Sequence, residues 1–186
     1  MFSANNELKV KTVFETVRRR YQRSRGLRWL VDGVAIFIVI LGVSAWQTRA
    51  HLAGVPIPKM PLTDMSGQVV FLESLRGKPS IVSIWAPWCG VCGAQSQNVS
   101  WVTRLVEERA NVTSVVASYR SVAEATQFMK DHDVDYPVLL APDGWAESMN
   151  VRVFPTIYFI DADGTIKRSV TGYTTTLGLL WRLFLP

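Results

Sequence analysis

The chain has 186 residues, 48% of them hydrophobic and 19% charged, with 20 Lys and Arg against 15 Asp and Glu for a formal charge of +5. That balance excludes a disordered chain, and the length allows one ordinary domain with an appendage. Two cysteines exclude both a disulfide-stapled scaffold and a four-cysteine metal site.

The charge is unevenly placed. Residues 1–28 carry eight basic side chains, including Arg18, Arg19, Arg20, Arg23, Arg25 and Arg28, against Glu7 and Glu15, a net +6. The other 158 residues hold twelve basic and thirteen acidic side chains, a net −1. No nucleic-acid partner is therefore expected. Residues 1–28 read as a basic cytosolic tail. Residues 29–46 follow as an apolar run from Trp29 to Trp46, 18 residues with one charge, Asp32. As a helix it would rise ~27 Å, close to the ~30 Å hydrocarbon core of a bilayer. A tryptophan at each end suits the two interfaces. The absence of a polar stripe from Gly33 to Ala45 argues against a core helix. The expectation is a transmembrane anchor in the inner membrane, N-terminus cytosolic, with the rest of the chain in the periplasm. Val43-Ser44-Ala45 also fits a signal-peptide cleavage site, but the long basic segment before it and Trp46 after it favour an uncleaved anchor.

Residues 47–59 read as a tether. Val55-Pro56-Ile57-Pro58 alternates proline with β-branched residues, which favours extended backbone, and thirteen such residues reach up to ~40 Å.

Residues 60–186 alternate strands with helices. Ser66-Gly67 opens a short strand at Gln68–Leu72, and Ser74–Gly77 is a turn or one helical piece. Ser80–Trp85 is a strand. Cys92, Val99, Val102 and Val106 then recur at helical spacing from Cys89 to about Arg109. Val112–Ala117 is a second core strand. Ser121-Val122-Ala123-Glu124 is a capping box opening a helix to about Asp131. Pro137–Leu140 is a short strand and Asp143–Asn150 a short helix. Thr156–Ile160 and Thr165–Thr171 pair across the turn Asp161-Ala162-Asp163-Gly164. Thr175–Leu185 closes as a helix that covers the core. The pattern is an α/β layer fold.

The chemistry lies in Trp85-Ala86-Pro87-Trp88-Cys89-Gly90-Val91-Cys92, a Cys-x-x-Cys between a strand end and a helix start. There the first backbone N–H groups lack intrahelical partners and the dipole favours negative charge. A thiolate at Cys89 gains from both, so its pKa should fall below the free value of about 8.5. Cys92, three residues on, lies on the same helix face within disulfide reach. An attacking and a resolving sulfur are what mixed-disulfide exchange requires. Zinc needs four ligands, and beyond the cysteines only His51 and His132 are available. No metal and no cofactor is expected.

A second element is Val153-Phe154-Pro155-Thr156 ahead of the Thr156 strand. With the Cys-x-x-Cys upstream and the Asp161–Gly164 hairpin after it, the chain resembles the thioredoxin superfamily. The resemblance implies a thioredoxin-like fold, a central mixed sheet flanked by helices, with Pro155 as a cis-proline facing the cysteines. It also implies that Phe154 and Pro155 offer backbone to a bound substrate chain. Trp88 is expected as an apolar docking rim. The run Leu62–Leu72, then Leu75-Arg76-Gly77-Lys78-Pro79, is similar to the membrane-anchored TlpA/ResA/DsbE branch, which adds an N-terminal β-hairpin and a strand–helix insert, here Arg120–Pro142. Cys-Gly-Val-Cys with Thr171-Gly172-Tyr173-Thr174 and Trp181 looks most like the suppressor-for-copper-sensitivity protein D (ScsD) subgroup.

The chain also departs from these patterns. Thioredoxin has a buried acid six residues before its first cysteine; here the position is Ser83, which cannot be a strong base. Val91 stands where thioredoxin has proline, and Thr156 where many cytochrome-maturation members have glutamate. Lys78 or water is left to deprotonate Cys92.

The resulting expectation is a membrane-tethered periplasmic thiol–disulfide oxidoreductase that reduces disulfides in envelope proteins, Cys89 attacking and Cys92 resolving. The resemblance implies re-reduction by a transmembrane electron donor of the DsbD/ScsB type. A copper-binding module, with two thiolates suited to Cu(I), and a cytochrome c maturation factor are the alternatives.

Overall fold

A computed structural model of the protein describes residues 25–47 and 54–184. The basic tail before Arg25, His51 and the start of the tether lie outside the described residues. The chain divides into two units, Met1–Trp46 and Gln47–Pro186.

In the first unit, helix α1 (Arg25–Gln47) runs 23 residues and contains the whole apolar stretch 29–46. Trp29, Leu30, Val31, Val34 and Ile36–Val39 are exposed on it. Among the described residues, no helix is long and apolar enough to cross a membrane.

The second unit is built on one sheet of eight strands in the order β1-β8-β7-β4-β5-β6-β2-β3. The strands are β1 (Val55–Pro56), β2 (Pro61–Asp64), β3 (Val69–Phe71), β4 (Ser80–Trp85), β5 (Asn111–Val116), β6 (Val138–Leu140), β7 (Thr156–Ile160) and β8 (Thr165–Thr171). The helices are α2 (Gly90–Val106), α3 (Val122–Asp131), α4 (Trp145–Ser148) and α5 (Thr176–Phe184), with a 3-10 turn at Leu72–Leu75. β4 pairs in parallel with β5 and antiparallel with β7, so the sheet is mixed. This is a thioredoxin-like α/β fold. The hairpin implied by resemblance is present, with Thr63 opposite Val69 and β2 also pairing with β6.

β4 is buried at all six positions because it is central and covered on both faces. Strand alternation divides its side chains. Val82 and Ile84 join Tyr158, Ile160, Trp145 and Met149 on one face. Ile81 joins Val99, Val102, Val106, Ile157, Phe159, Leu179 and Leu183, which brings α2 and α5 onto the other. Trp85, on that same side, packs with Phe128 of α3 and with both cysteines.

Two local expectations are changed. Extended backbone at Val55-Pro56 was expected in a free tether; instead β1 adds to the sheet edge, with Val55 opposite Ile166, and Ile57 is buried. An edge strand tolerates a proline because one side of it makes no ladder. The capping box forms by half. The Glu124 N–H donates to Ser121 Oγ, but the Glu124 carboxylate accepts from the backbone N–H and guanidinium of Arg120.

Candidate functional site

α2 begins where β4 ends. The four residues Ala86–Cys89 make the connection, and the Cys89 N–H donates to the Ala86 carbonyl at 3.1 Å. Cys89 is the N-cap of α2, with extended backbone (φ −89°, ψ 103°), and no side chain caps the helix. Its first N–H groups and dipole are therefore directed at the sulfur. Cys89 and Cys92 are joined in a disulfide, their Cα atoms 5.3 Å apart. Cys89 sits at the edge of burial, 9% exposed, and Cys92 is sealed at 2%. The outer sulfur is the one a partner can reach, and the inner one is shielded.

The Phe154–Pro155 peptide bond is cis. Phe154 packs against the cluster that holds both cysteines, and its ring meets Trp88 edge-on at 5.7 Å between centroids. Trp88 is 63% exposed, and its Nε1–H donates to the Ser118 carbonyl at 2.9 Å. The bond fixes the ring at the surface beside Cys89. The structure thus brings together all five residues singled out from the sequence: Trp88, Cys89, Cys92, Phe154 and Pro155.

Three exposed apolar side chains extend this rim: Val91, Val153 and Tyr173. Tyr173 is held by its neighbours, since the Gly172 N–H donates to the Pro155 carbonyl at 2.8 Å and the Thr174 N–H to Gln95 Oε1 at 2.7 Å. Gln95 is itself buried on α2. Only its position one turn after Cys92 marks it in the sequence; a contact 79 residues distant leaves no local signal.

The place of the thioredoxin acid is held by a hydroxyl. Ser83 is buried on β4, on the same face as Trp85 by alternation. Lys78 is not a substitute, because it precedes β4, about six strand residues or ~20 Å from the end that carries the cysteines. An unexpected neighbour is present instead. The Trp85 ring stacks on Phe128 at 4.3 Å between centroids, and the Phe128 ring meets His132 at 4.4 Å with the two planes tilted by 54°. The imidazole of His132 occupies the space that a Cβ on Gly93 would need, so it rests on the first turn of α2, against the residue that follows Cys92.

Among the described residues no three His, Cys, Asp or Glu side chains converge on one point. A cleft of about 730 Å³, lined by the β2–β3 hairpin, Asn111–Thr113 and Pro137–Leu139, lies at the starting ends of β5 and β6, away from the disulfide.

The redoxin family profile matches residues 52–177. The thioredoxin-like protein YneN of Bacillus subtilis is 28% identical over 161 residues, spanning 80% of this chain and 92% of that protein. Thiol-disulfide oxidoreductase ResA of Geobacillus kaustophilus is 23% identical over 155 residues, spanning 78% of this chain and 89% of that one. Among solved structures, a secreted disulfide oxidoreductase of Mycobacterium tuberculosis, described as homologous to E. coli DsbE, superposes with a TM-score of 0.59. It is 26% identical and covers 67% of this chain and 94% of its own.

Proposed function

This chain belongs to the redoxin family and is a thiol–disulfide oxidoreductase of the DsbE/ResA type; from that premise we propose that it reduces disulfides in envelope proteins. The observation that carries this reading is the Cys89–Cys92 disulfide at the N-terminus of α2, beside an exposed apolar rim and a cis-proline.

In the reduced enzyme the α2 N-terminus favours the Cys89 thiolate. That thiolate attacks one sulfur of a substrate disulfide, and the other substrate sulfur leaves as a thiolate and takes a proton. Cys92, deprotonated in turn, attacks Cys89 Sγ and expels the second substrate thiolate. Two electrons pass from the cysteine pair to the substrate, and the Cys89–Cys92 disulfide remains. Trp88, Phe154 and Pro155 receive the polypeptide around the substrate disulfide, Pro155 and its neighbour through their backbone.

The enzyme must then be re-reduced. The ScsD likeness supports a transmembrane donor of the DsbD/ScsB type. Residues 29–46 would anchor the chain in the inner membrane, with 1–28 in the cytosol, 47–59 as the link and 60–186 as the catalytic domain in the periplasm. This assignment rests on the apolar run and on the positive charge preceding it.

Cys92→Ala tests the substrate class. The variant keeps the attacking thiol and lacks the resolving one, so envelope proteins accumulate in mixed disulfides with Cys89 and can be identified. Capture of reduced-thiol clients only after their oxidation supports the reductase reading. Absence of any Cys89-linked protein, with Cys92→Ala folded and its thiol titratable, overturns it.

A further inference from the structure

Resolution requires Cys92 to lose a proton, and Cys92 is 2% exposed. A buried thiol with no base beside it ionises poorly. Ser83 supplies no base and Lys78 is at the wrong end of the strand. From Gly90 to Thr103, α2 carries no ionisable side chain except Cys92 itself, and Ala86–Trp88 carries none. One acid–base side chain does lie on this turn. His132 sits so close to Gly93 that a Cβ there would collide with three atoms of its ring, Cε1, Nε2 and Nδ1. Its position is fixed by the ring contacts running from Trp85 through Phe128 to His132 and by the C-cap of α3, where the His132 N–H donates to the Phe128 carbonyl at 3.1 Å. The residue is half-buried, with its ring against α2 at Gly93.

We propose that His132 is the proton acceptor for Cys92, resting on the reading that Cys89 attacks and Cys92 resolves. In the mixed disulfide, the neutral imidazole takes the Cys92 thiol proton, directly or through one water. The Cys92 thiolate attacks Cys89 Sγ, the Cys89–substrate S–S bond breaks, and the substrate leaves as thiolate. The imidazolium then gives its proton to solvent. In the reverse direction the imidazolium returns a proton to Cys92 as the disulfide opens.

The other ionisable groups around His132 do not fill this role. Lys130, Asp131 and Asp133 flank it in sequence, and Asp131 accepts the Gln127 amide. Arg104 and Asp135 pair with each other further along α2. Tyr119 packs against the cysteine cluster, but burial, aided by the Asp143 charge, raises its pKa, so it stays protonated and cannot accept. Glycine at 93 has a reason in this assignment: a Cβ would displace the base.

The test is stopped-flow oxidation of the reduced full chain by the Ellman reagent. Attack by Cys89 releases one thionitrobenzoate; resolution by Cys92 releases a second in a phase independent of reagent concentration. His132→Asn should slow the second phase about 10²-fold at neutral pH, leave the first within about twofold, and converge with wild type at high pH, where the thiol ionises unaided. Gly93→Ala should do the same with the imidazole still present but displaced, and added imidazole should restore rate to a His132→Gly variant. Three outcomes would overturn the assignment. One is an unchanged second phase in folded His132→Asn. Another is an equal loss at every pH, the mark of a packing role alone. The third is failure of imidazole to rescue. If wild type itself shows no second phase, the attack-and-resolve reading fails instead.

Discussion

Cys89 and Cys92 differ by position rather than by chemistry. One caps a helix at the edge of solvent and the other is enclosed one turn inside. Cys89→Ser should abolish disulfide exchange, because the one thiol it leaves, Cys92, is buried at 2% exposure and out of a partner's reach; insulin reduction with a dithiol reductant would measure it. Trp88→Ala and Phe154→Ala separate docking from chemistry. Each removes part of an aromatic pair, exposed Trp88 and half-buried Phe154, that takes no part in the sulfur-transfer step itself. We expect kcat/KM for a protein disulfide to fall about tenfold, within the range of an aromatic contact residue. The rate with a small disulfide reagent should hold. At this scale the sequence was informative where chemistry is local. The cysteine pair and the cis-proline both sit in short motifs. Gln95, Tyr173 and His132 were not legible as site residues, because contacts 79 residues apart in one case and a vacant Cβ direction in another bring them there.

The elements show which side chains define each boundary. Ser121 caps α3 by accepting the Glu124 N–H, and Ser121→Ala should lower stability by about 1 kcal/mol in a denaturant titration. α5 displays the helical period plainly, since Leu179 and Leu183 are buried while Leu177 and Trp181 are exposed. Leu179→Ala should cost about 2–5 kcal/mol and Leu177→Ala within about 0.5 kcal/mol. β7 is tied to α4 through the Tyr158 hydroxyl, which donates to the Met149 carbonyl. Burial pushes the Tyr158 pKa up from 10.0 to about 12. The folded state therefore prefers the protonated phenol, and its contribution is complete below about pH 10, the unfolded value. That contribution is lost as pH rises from there through the folded value. Tyr158→Phe should be less stable than wild type at neutral pH by about 1 kcal/mol. It should also lose less further stability between about pH 10 and about pH 12, as chemical denaturation across that range would show. Tyr136, also raised by burial, keeps part of the alkaline loss in both proteins.

At the scale of the molecule, the catalytic unit closes on itself with β1. Val55 and Pro56 pair with β8, and Ile57 enters the core on the α4 face. A fragment of residues 54–186 should keep disulfide exchange with a soluble substrate within about twofold of the full chain. A fragment of residues 60–186 loses a buried isoleucine and an edge strand, and should melt lower by several degrees for a deficit of about 1–2 kcal/mol. Thermal unfolding of the two fragments checks this. A 60–186 fragment as stable as 54–186 would return residues 55–59 to the role of a plain link.

Strand and helix identities, the α/β class and the redox pair were determined by the sequence alone, because each depends on neighbours within one turn or one strand. Ser80–Trp85, Thr156–Ile160 and Thr165–Thr171 match the expected strands residue for residue. The tertiary structure decided the rest. It determined that a proline-rich link becomes an edge strand, that Glu124 serves Arg120 rather than the N-cap, and that Lys78 stands far from the cysteines. It also placed a histidine from α3 on the turn that carries them. Periodicity records which face of an element is buried. It does not record what that face is buried against, and the side chains that surround Cys92 are of that second kind.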